Sequence, residues 1–291
     1  MATASSLTTK FHGFTHDLLS HHIFHSKRSL ISTVLKTALS VALGPLFYIT
    51  WSDYQKWLQL GPAGPPYNIF GYFISILLRP LKASRFDTSF SSNARFLKKI
   101  GPVGERTFLK DEDVPERKGP RPEIGKWILP QRQLDQKAGG QKSKEVRKLL
   151  ENLCWFSCLL TKYQRFETLI QSLADEKPDK LSVRTSVLER TGPALALNAS
   201  VQKHPGAYGT RNEIVHLHES EGSMHVCLSP PDAKLVIERG WAERFGLSGS
   251  IVPVTYVMIY APRHGETEEE EVKIVEGIIR AGVKFMLGEE A

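Results

Sequence analysis

The sequence predicts an α+β protein, in which an antiparallel sheet is packed by a few helices and a transmembrane helix precedes it. Three observations support this fold class. Residues 30–51 form an apolar run long enough to cross a bilayer. Polar and apolar side chains alternate along residues 213–228, as they do in two strands joined by a turn. Residues 144–174 and 266–287 repeat apolar side chains with a period near 3.6, as amphipathic helices do.

The first 51 residues divide into a tail and an anchor. Residues 1–29 are rich in Ser, Thr and His and lack an apolar period, so we expect a disordered tail. That tail holds five histidines: His12, His16, His21, His22 and His25. Residues 30–51 are expected to be a retained single-pass anchor, because the preceding tail is long for a cleaved signal peptide. We therefore expect a membrane protein of the endoplasmic reticulum or another endomembrane.

Residues 52–142 are predicted to form a basic, partly irregular segment next to the membrane. Residues 82–147 hold sixteen Lys and Arg against nine Asp and Glu, and this surplus of seven equals the net charge of +7. The apolar run 69–78 is too short to span a bilayer and is expected to lie at the interface or beside the anchor. Basic charge beside an anchor favours lipid headgroups as partners. No nucleic-acid motif accompanies it, so nucleic acid is not an expected partner.

Residues 143–291 are predicted to form the α+β domain. A proline in the first turn marks the start of the short helix near residue 230. Four consecutive glutamates from residue 268 suit the positive end of the final helix. In chain order the predicted elements are helix 144–174, strands 181–190 and 194–197, the hairpin 213–228, a helix opening at 229–232 and ending at 238, strand 254–260 and helix 266–287.

The hairpin carries three histidines within ten residues. Alternation places His216 and His218 on one face of the first strand, and Val215 and Leu217 on the other. With an even-numbered loop His216 lies opposite His225. Cross-strand neighbours are about 5 Å apart, so three imidazoles share one small patch. A three-residue loop would slip the register and turn His225 toward the core.

Three interpretations of these histidines stay open from the residues alone. They act as general acids and bases on a phenolic or enolic substrate, because their ordinary pKa lies near neutrality. Alternatively His216, His218 and His225, with Glu221, bind a metal ion such as iron. The His-x-His pattern is similar to the first half of a cupin motif, although the second cupin motif is not visible downstream. Finally, they are ordinary histidines on a solvent-facing sheet surface.

Two further positions are candidates, each with a structural alternative. Arg263 follows a predicted strand and suits the stabilisation of an anion or enolate; the alternative is a surface ion pair. Trp241 follows a glycine and suits a pocket wall; the alternative is a core aromatic. The sequence contains no Gly-x-Ser-x-Gly, phosphate loop or dinucleotide fingerprint, which argues against the standard hydrolases and nucleotide-dependent enzymes.

With these residues in place, the chain resembles the fungal luciferase family across residues 50–287. The family, found in light-emitting mushrooms, oxidises 3-hydroxyhispidin with molecular oxygen. The resemblance rests on the order and spacing of several short motifs. They are Asp53 to Gln55 with Gly61-Pro62, Asn68 to Tyr72, Arg121-Pro122 with Gln131-Arg132, Glu213 to His218, His225, Lys234 to Trp241, and Tyr260 to Arg263 leading into Glu268 to Met286.

The resemblance implies a membrane-anchored oxygenase that acts on a small hydroxylated pyrone, polyketide or phenol without flavin or haem. Oxygen is then a co-substrate, and a metal ion is the alternative cofactor. We expect His216, His218, His225 and Arg263 to be catalytic. The expected substrate-binding residues are Glu213, Trp241 and Tyr260. We also expect a relative that does not emit light; the alternative is a non-catalytic, membrane-associated protein that binds a small molecule.

Overall fold

A computed structural model describes residues 32–34, 36–41, 43–136, 154–263 and 267–290. The chain divides into two compact units, Met1–Lys56 and Trp57–Ala291. The predicted tail, residues 1–29, lies outside the described residues. So does the first part of the predicted helix 144–174, up to residue 153.

The first helix, α1 (Ser32–Leu58), coincides with the predicted anchor and continues past it. Of the helices in the described ranges, it is the one whose length and composition allow it to cross a membrane. Apolar side chains along it are exposed, including Val41, Phe47 and Tyr48.

The second unit contains one six-stranded sheet with the order β1-β2-β3-β4-β6-β5, and every neighbouring pair is antiparallel. The predicted α+β class with an antiparallel sheet is thereby confirmed. The strands are β1 (Leu181–Thr185), β2 (Pro193–Leu197), β3 (Glu213–Leu217), β4 (Met224–Cys227), β5 (Ala242–Arg244) and β6 (Tyr256–Ile259). The sequence did not predict β5, because three residues are too few to show an alternating pattern.

One predicted strand is shorter than expected. The run 181–190 was predicted as a single strand, but β1 ends at Thr185. The reason is that the backbone amides of Val187 and Leu188 donate to the buried Glu213 carboxylate and not to β2. The chain turns there, and Arg190 adopts a left-handed backbone with φ of 66°.

Within the described residues, five helices accompany the sheet: α2 (Ile69–Leu77), α3 (Ala94–Ile100), α4 (Cys154–Glu176), α5 (Pro230–Glu238) and α6 (Glu268–Leu287). Helix α4 packs on β1, β2 and β3, and α6 packs on β3 and β4. The sheet side chains beneath them are fully buried, including Val215, Leu217, Met224 and Val226. This is the core face that the hairpin pattern predicts. The terminal helix ends at Gly288, whose φ of 69° gives the left-handed cap that glycine favours.

Residues 57–136, here called the cover, form short helical turns and irregular chain. Their first and last parts lie over the opposite face of the sheet, whereas residues 106–113 contact α5 and α6. Trp57 donates to the Leu129 carbonyl over 2.8 Å, which ties two distant parts of this cover together. Several of its basic residues point inward. Arg121 donates to the Ala242 carbonyl over 2.8 Å, and Arg85 pairs with the buried Glu243. Part of the basic surplus therefore holds the cover to the sheet.

Candidate active site: a histidine cluster beside an apolar cavity

The β3–β4 hairpin has the register that an even-numbered loop predicts. His216 lies directly opposite His225. The loop closes through a hydrogen bond of 2.9 Å from the His218 amide to the Ser223 carbonyl. Gly222 has a φ of 83°, a conformation that glycine adopts without strain. The three histidines consequently share one face of the sheet.

His216, His218 and His225 form a compact cluster. Their ring centroids are 5.4 Å (His216–His218), 5.1 Å (His216–His225) and 4.8 Å (His218–His225) apart. One ring nitrogen from each lies within 4.8 Å of the other two. The side chains are only 1–2% exposed. The interpretation of a solvent-facing surface is therefore wrong, because residues 57–136 cover this face.

His216 is held from behind by a carboxylate and a phenol. Its Nδ1 lies 3.1 Å from Glu213 Oε2 and 3.2 Å from the Tyr256 hydroxyl. Glu213 also accepts from Ser186 Oγ over 2.9 Å and from the Val187 amide. The same carboxylate thus ends strand β1 and orients a histidine of the cluster.

The other two histidines are held by different contacts. His218 Nδ1 lies 2.8 Å from Ser223 Oγ and 3.1 Å from Glu221 Oε1. The His225 ring stacks on the Tyr256 ring, with centroids 5.3 Å apart. Glu221 therefore sits behind the ring of His218, and it is not part of the group whose ligand atoms converge.

Each histidine keeps one buried ring nitrogen that has no hydrogen-bond partner. These atoms are His216 Nε2, His218 Nε2 and His225 Nδ1. Buried polar atoms are nearly always hydrogen-bonded, and an unpartnered one costs about 1–3 kcal/mol. Three such atoms on neighbouring rings indicate that this cluster binds a ligand.

A buried arginine and three carboxylates surround the cluster. Arg132 is almost fully buried and forms an ion pair with Glu189. Its Nε lies 3.8 Å from Glu221 Oε2. Glu189 Oε2 is also 3.8 Å from His216 Nε2. Glu213 is the third carboxylate, so acidic groups outnumber basic ones here.

Burial dominates the electrostatics of the cluster. Desolvation lowers the pKa of His216, although Glu213 opposes that shift. The pKa values of His218 and His225 lie well below the ordinary range, first because of desolvation and then because of neighbouring positive charge. Burial alone would raise the pKa of Glu213, but hydrogen bonds from His216 and Ser186 lower it. These shifts favour the neutral imidazoles at neutral pH, each with one N–H and one nitrogen lone pair.

A cavity of about 500 Å³ lies against the cluster. His216, His225, Tyr256 and Glu189 form its polar wall. Its other walls are mainly apolar and include Ile74, Leu78, Leu129, Leu188, Phe245 and Leu247. A cavity of this size and character suits a small, largely hydrophobic molecule with a few polar groups.

Three of the other predicted site residues lie elsewhere. Arg263 is held by Glu271, to which its Nε and Nη2 donate over 2.8 and 2.6 Å. Trp241 lines the same small pocket as Arg263, a space of about 60 Å³ separate from the histidine cavity. Tyr260 is buried, and its hydroxyl donates to Glu243 over 3.1 Å. Of the three expected substrate-binding residues, Glu213 alone reaches the cluster.

Sequence reasoning missed several residues of the site. Glu189 was assigned to a strand, and Tyr256 to an ordinary strand position. Arg190 and Arg211 are exposed and line the cavity. These two arginines, and not Arg263, are therefore placed to stabilise an anion there. The family motifs, among them the one that includes Arg132, were the signals that pointed to the cover segment.

Comparisons with known proteins show what the chain is similar to. The luciferase domain family matches residues 211–282, which include Glu213, the three histidines and Tyr256. The chain is 29% identical to a luciferase of Armillaria gallica, over 94% of this chain and 95% of that protein. It is 28% identical to luciferases of Neonothopanus nambi (91% and 92%) and Armillaria ostoyae (93% and 93%). No solved structure matches.

The domain match falls on the hairpin and on the strand and helix that follow it, where the histidine cluster is built. The similarity to the three luciferases extends over nearly the whole of each chain, so it also includes the cover segment. The resemblance found in the sequence is thereby confirmed: the chain is similar to fungal luciferases over nearly its whole length.

Proposed function

We propose that this protein is a membrane-anchored, luciferase-like oxygenase that adds molecular oxygen to a small hydroxylated pyrone, polyketide or phenol. The observation that carries the proposal is the cavity of about 500 Å³ whose polar wall is made by His216 and His225. Both residues lie in the range that matches the luciferase domain. Helix α1 would be the single-pass anchor, in the endoplasmic reticulum or another endomembrane.

The cavity favours an aromatic or conjugated substrate that bears a hydroxyl. Phe245 and the aliphatic walls contact the apolar body of the molecule. The polar wall contacts its hydroxyl. Arg190 and Arg211 favour a substrate that is, or becomes, anionic.

The proposed reaction begins with the loss of the substrate's enolic proton. That proton passes to the polar wall, where His216 Nε2 and Glu189 Oε2 lie 3.8 Å apart. The enolate carbon then gives two electrons to dioxygen and forms one C–O bond. The distal oxygen takes up the proton, and the product is a keto hydroperoxide. Enol plus dioxygen therefore equals product, and no flavin or haem enters the balance.

The test is product analysis under ¹⁸O₂ with 3-hydroxyhispidin and related hydroxypyrones. We expect the full chain to yield a product that contains label from dioxygen. His216→Ala and His225→Ala should each lose that product while keeping the thermal transition of the wild type. His204→Ala is the matched control, because His204 is a half-buried histidine bonded to the Phe285 carbonyl, outside the cavity.

A product without label, or labelled product in equal yield from His216→Ala, would overturn the proposal. Binding of a hydroxypyrone without any oxidation would instead identify a binding protein of the same fold. Photon counting in the same assay tests the expectation that the reaction is dark.

A further inference from the structure

We propose that His216, His218 and His225 together bind one divalent first-row transition-metal ion at the inner wall of the cavity. The inference concerns the same residues as the proposed function, but metal binding does not depend on the proposed reaction. Three observations support it: the unpartnered ring nitrogens of the cluster (the open nitrogens), the groups that contact the other ring nitrogens, and the charge of the surrounding side chains.

The open nitrogens are the first argument. His216 Nε2, His218 Nε2 and His225 Nδ1 are buried and unpartnered. One ring nitrogen from each histidine lies within 4.8 Å of the other two. An ion about 2.1 Å from three nitrogens in tetrahedral geometry needs them about 3.4 Å apart. Metal binding would require ring rotations that close this difference, and each rotation would give an orphaned lone pair a partner.

The groups behind the rings are the second argument. Histidines that bind metals almost always donate their other ring N–H to a carboxylate, a backbone carbonyl or water. His216 Nδ1 faces Glu213 at 3.1 Å, and His218 Nδ1 faces Ser223 Oγ and Glu221 at 2.8 and 3.1 Å. These contacts fix the tautomer that leaves Nε2 free to bind.

Local charge is the third argument. Glu213, Glu221 and Glu189 surround the cluster, and Arg132 is the single buried cation among them. Three carboxylates against one guanidinium leave an excess of acidic groups around the rings. Buried negative charge is costly unless it is paired, and a divalent cation would balance it.

The position of the site gives the ion a role. Three protein ligands with further positions open are typical of catalytic metal sites. His216 and His225 line the cavity, so the open positions would face a bound substrate. The ion would hold the oxygen of the substrate hydroxyl and favour its anion. With His216 acting as a ligand, Glu189 is left as the proton acceptor on the same wall.

Metal binding by the full chain is the direct test. The protein is purified without a histidine tag and with its five N-terminal histidines changed to glutamine, since these bind metals by themselves. It is stripped with chelator, loaded with Zn²⁺ or Co²⁺ and dialysed. We expect about one equivalent of either ion, and a Co²⁺ visible spectrum typical of four or five ligands that include nitrogen.

Two variants and one control decide the outcome. His218→Ala tests a ligand that does not line the cavity, and it should reduce the bound ion to background. Glu213→Gln leaves all three ligands in place and should weaken binding about 10- to 100-fold. His204→Gln is the control and should bind as the wild type does, because both its ring nitrogens already have partners.

Equal metal content in the wild type and in folded His218→Ala would overturn the site, as would a background level in the wild type. The oxygen-uptake assay is read separately. Metal bound without oxidation contradicts the proposed function and supports the site. Oxidation by chelator-stripped protein at the full rate contradicts the role given to the ion and supports the proposed function.

Discussion

Glu213 shows how one side chain links fold and site. It accepts hydrogen bonds from the Ser186 hydroxyl and from the amides of Val187 and Leu188, which ends strand β1. The same carboxylate faces Nδ1 of His216. Hydrogen bonds to charged groups are stronger than those between neutral groups. Glu213 therefore fixes both the chain at residues 186–188 and the imidazole ring of His216.

Replacing Glu213 by glutamine should therefore affect stability and activity together. We expect a loss of about 2 kcal/mol in the free energy of unfolding, because a buried charged acceptor becomes a neutral amide with its own donors. Oxygen uptake should fall at least tenfold, since His216 loses its orientation. Ser186→Ala removes one of these bonds and should show a smaller loss of both. Urea titration and oxygen uptake measure the two effects, and a variant with wild-type values would contradict this role.

At the scale of elements, the β3–β4 hairpin could be predicted from the sequence and its surroundings could not. The alternation of residues 213–228 is a local property that predicts both strands. It pairs His216 with His225 only if the loop is even, and the structure has that even loop. The cover over that face comes from residues 57–136, whose irregular chain has no period to recognise. Glu189 and Arg132 reach the cluster from separate segments of the chain. Arg263 forms an ion pair with Glu271 instead and lies away from the cluster.

Helix α5 provides a pH-dependent contact with the cover. Asp232, in its first turn, accepts from the backbone amides of Phe108 and Leu109 at 3.1–3.2 Å. Burial raises the pKa of Asp232 from 3.8 to about 6, against the opposing effect of those hydrogen bonds and one from Ser229. The folded state thus binds a proton more tightly than the unfolded state between these two values.

Asp232 therefore stabilises the folded state more at low pH than at high pH. The contribution of Asp232 is fully present below pH 4 and is lost as the pH rises through 6. Relative to Asp232→Asn, the wild type should lose roughly 3 kcal/mol of unfolding free energy across that range. Urea titrations at several pH values measure this, with Asp111→Asn as a control at an exposed carboxylate. Parallel pH profiles for the wild type and Asp232→Asn would contradict it.

At the scale of the whole molecule, the chain joins an apolar N-terminal helix to a compact α+β unit. The two were evident from the sequence, because an apolar run and an amphipathic period are properties of composition and spacing. A cavity with apolar walls agrees with a substrate that partitions into membranes. Anchoring would keep such a substrate close to the enzyme.

Charges placed in α1 should release the protein from the membrane. Leu43 and Phe47 are exposed apolar residues of this helix, and an arginine costs about 2.5–3.5 kcal/mol at the centre of a spanning helix. We expect the wild type to stay in the membrane pellet after alkaline carbonate extraction, and Leu43→Arg/Phe47→Arg to enter the supernatant. Leu43→Val/Phe47→Leu is the matched control and should stay in the pellet. Extraction of the wild type itself would contradict the anchor.

The most direct test of the central claim is the initial rate of oxygen uptake with 3-hydroxyhispidin, measured for the wild type and for folded His216→Ala at equal concentration. The claim is that the cavity beside the histidine cluster is where oxygen is added. It predicts uptake of one dioxygen for each pyrone consumed by the wild type, and a rate reduced at least a hundredfold in the variant, since His216 is held on the polar wall of that cavity. Equal rates in the two proteins would place the reaction elsewhere and contradict the claim.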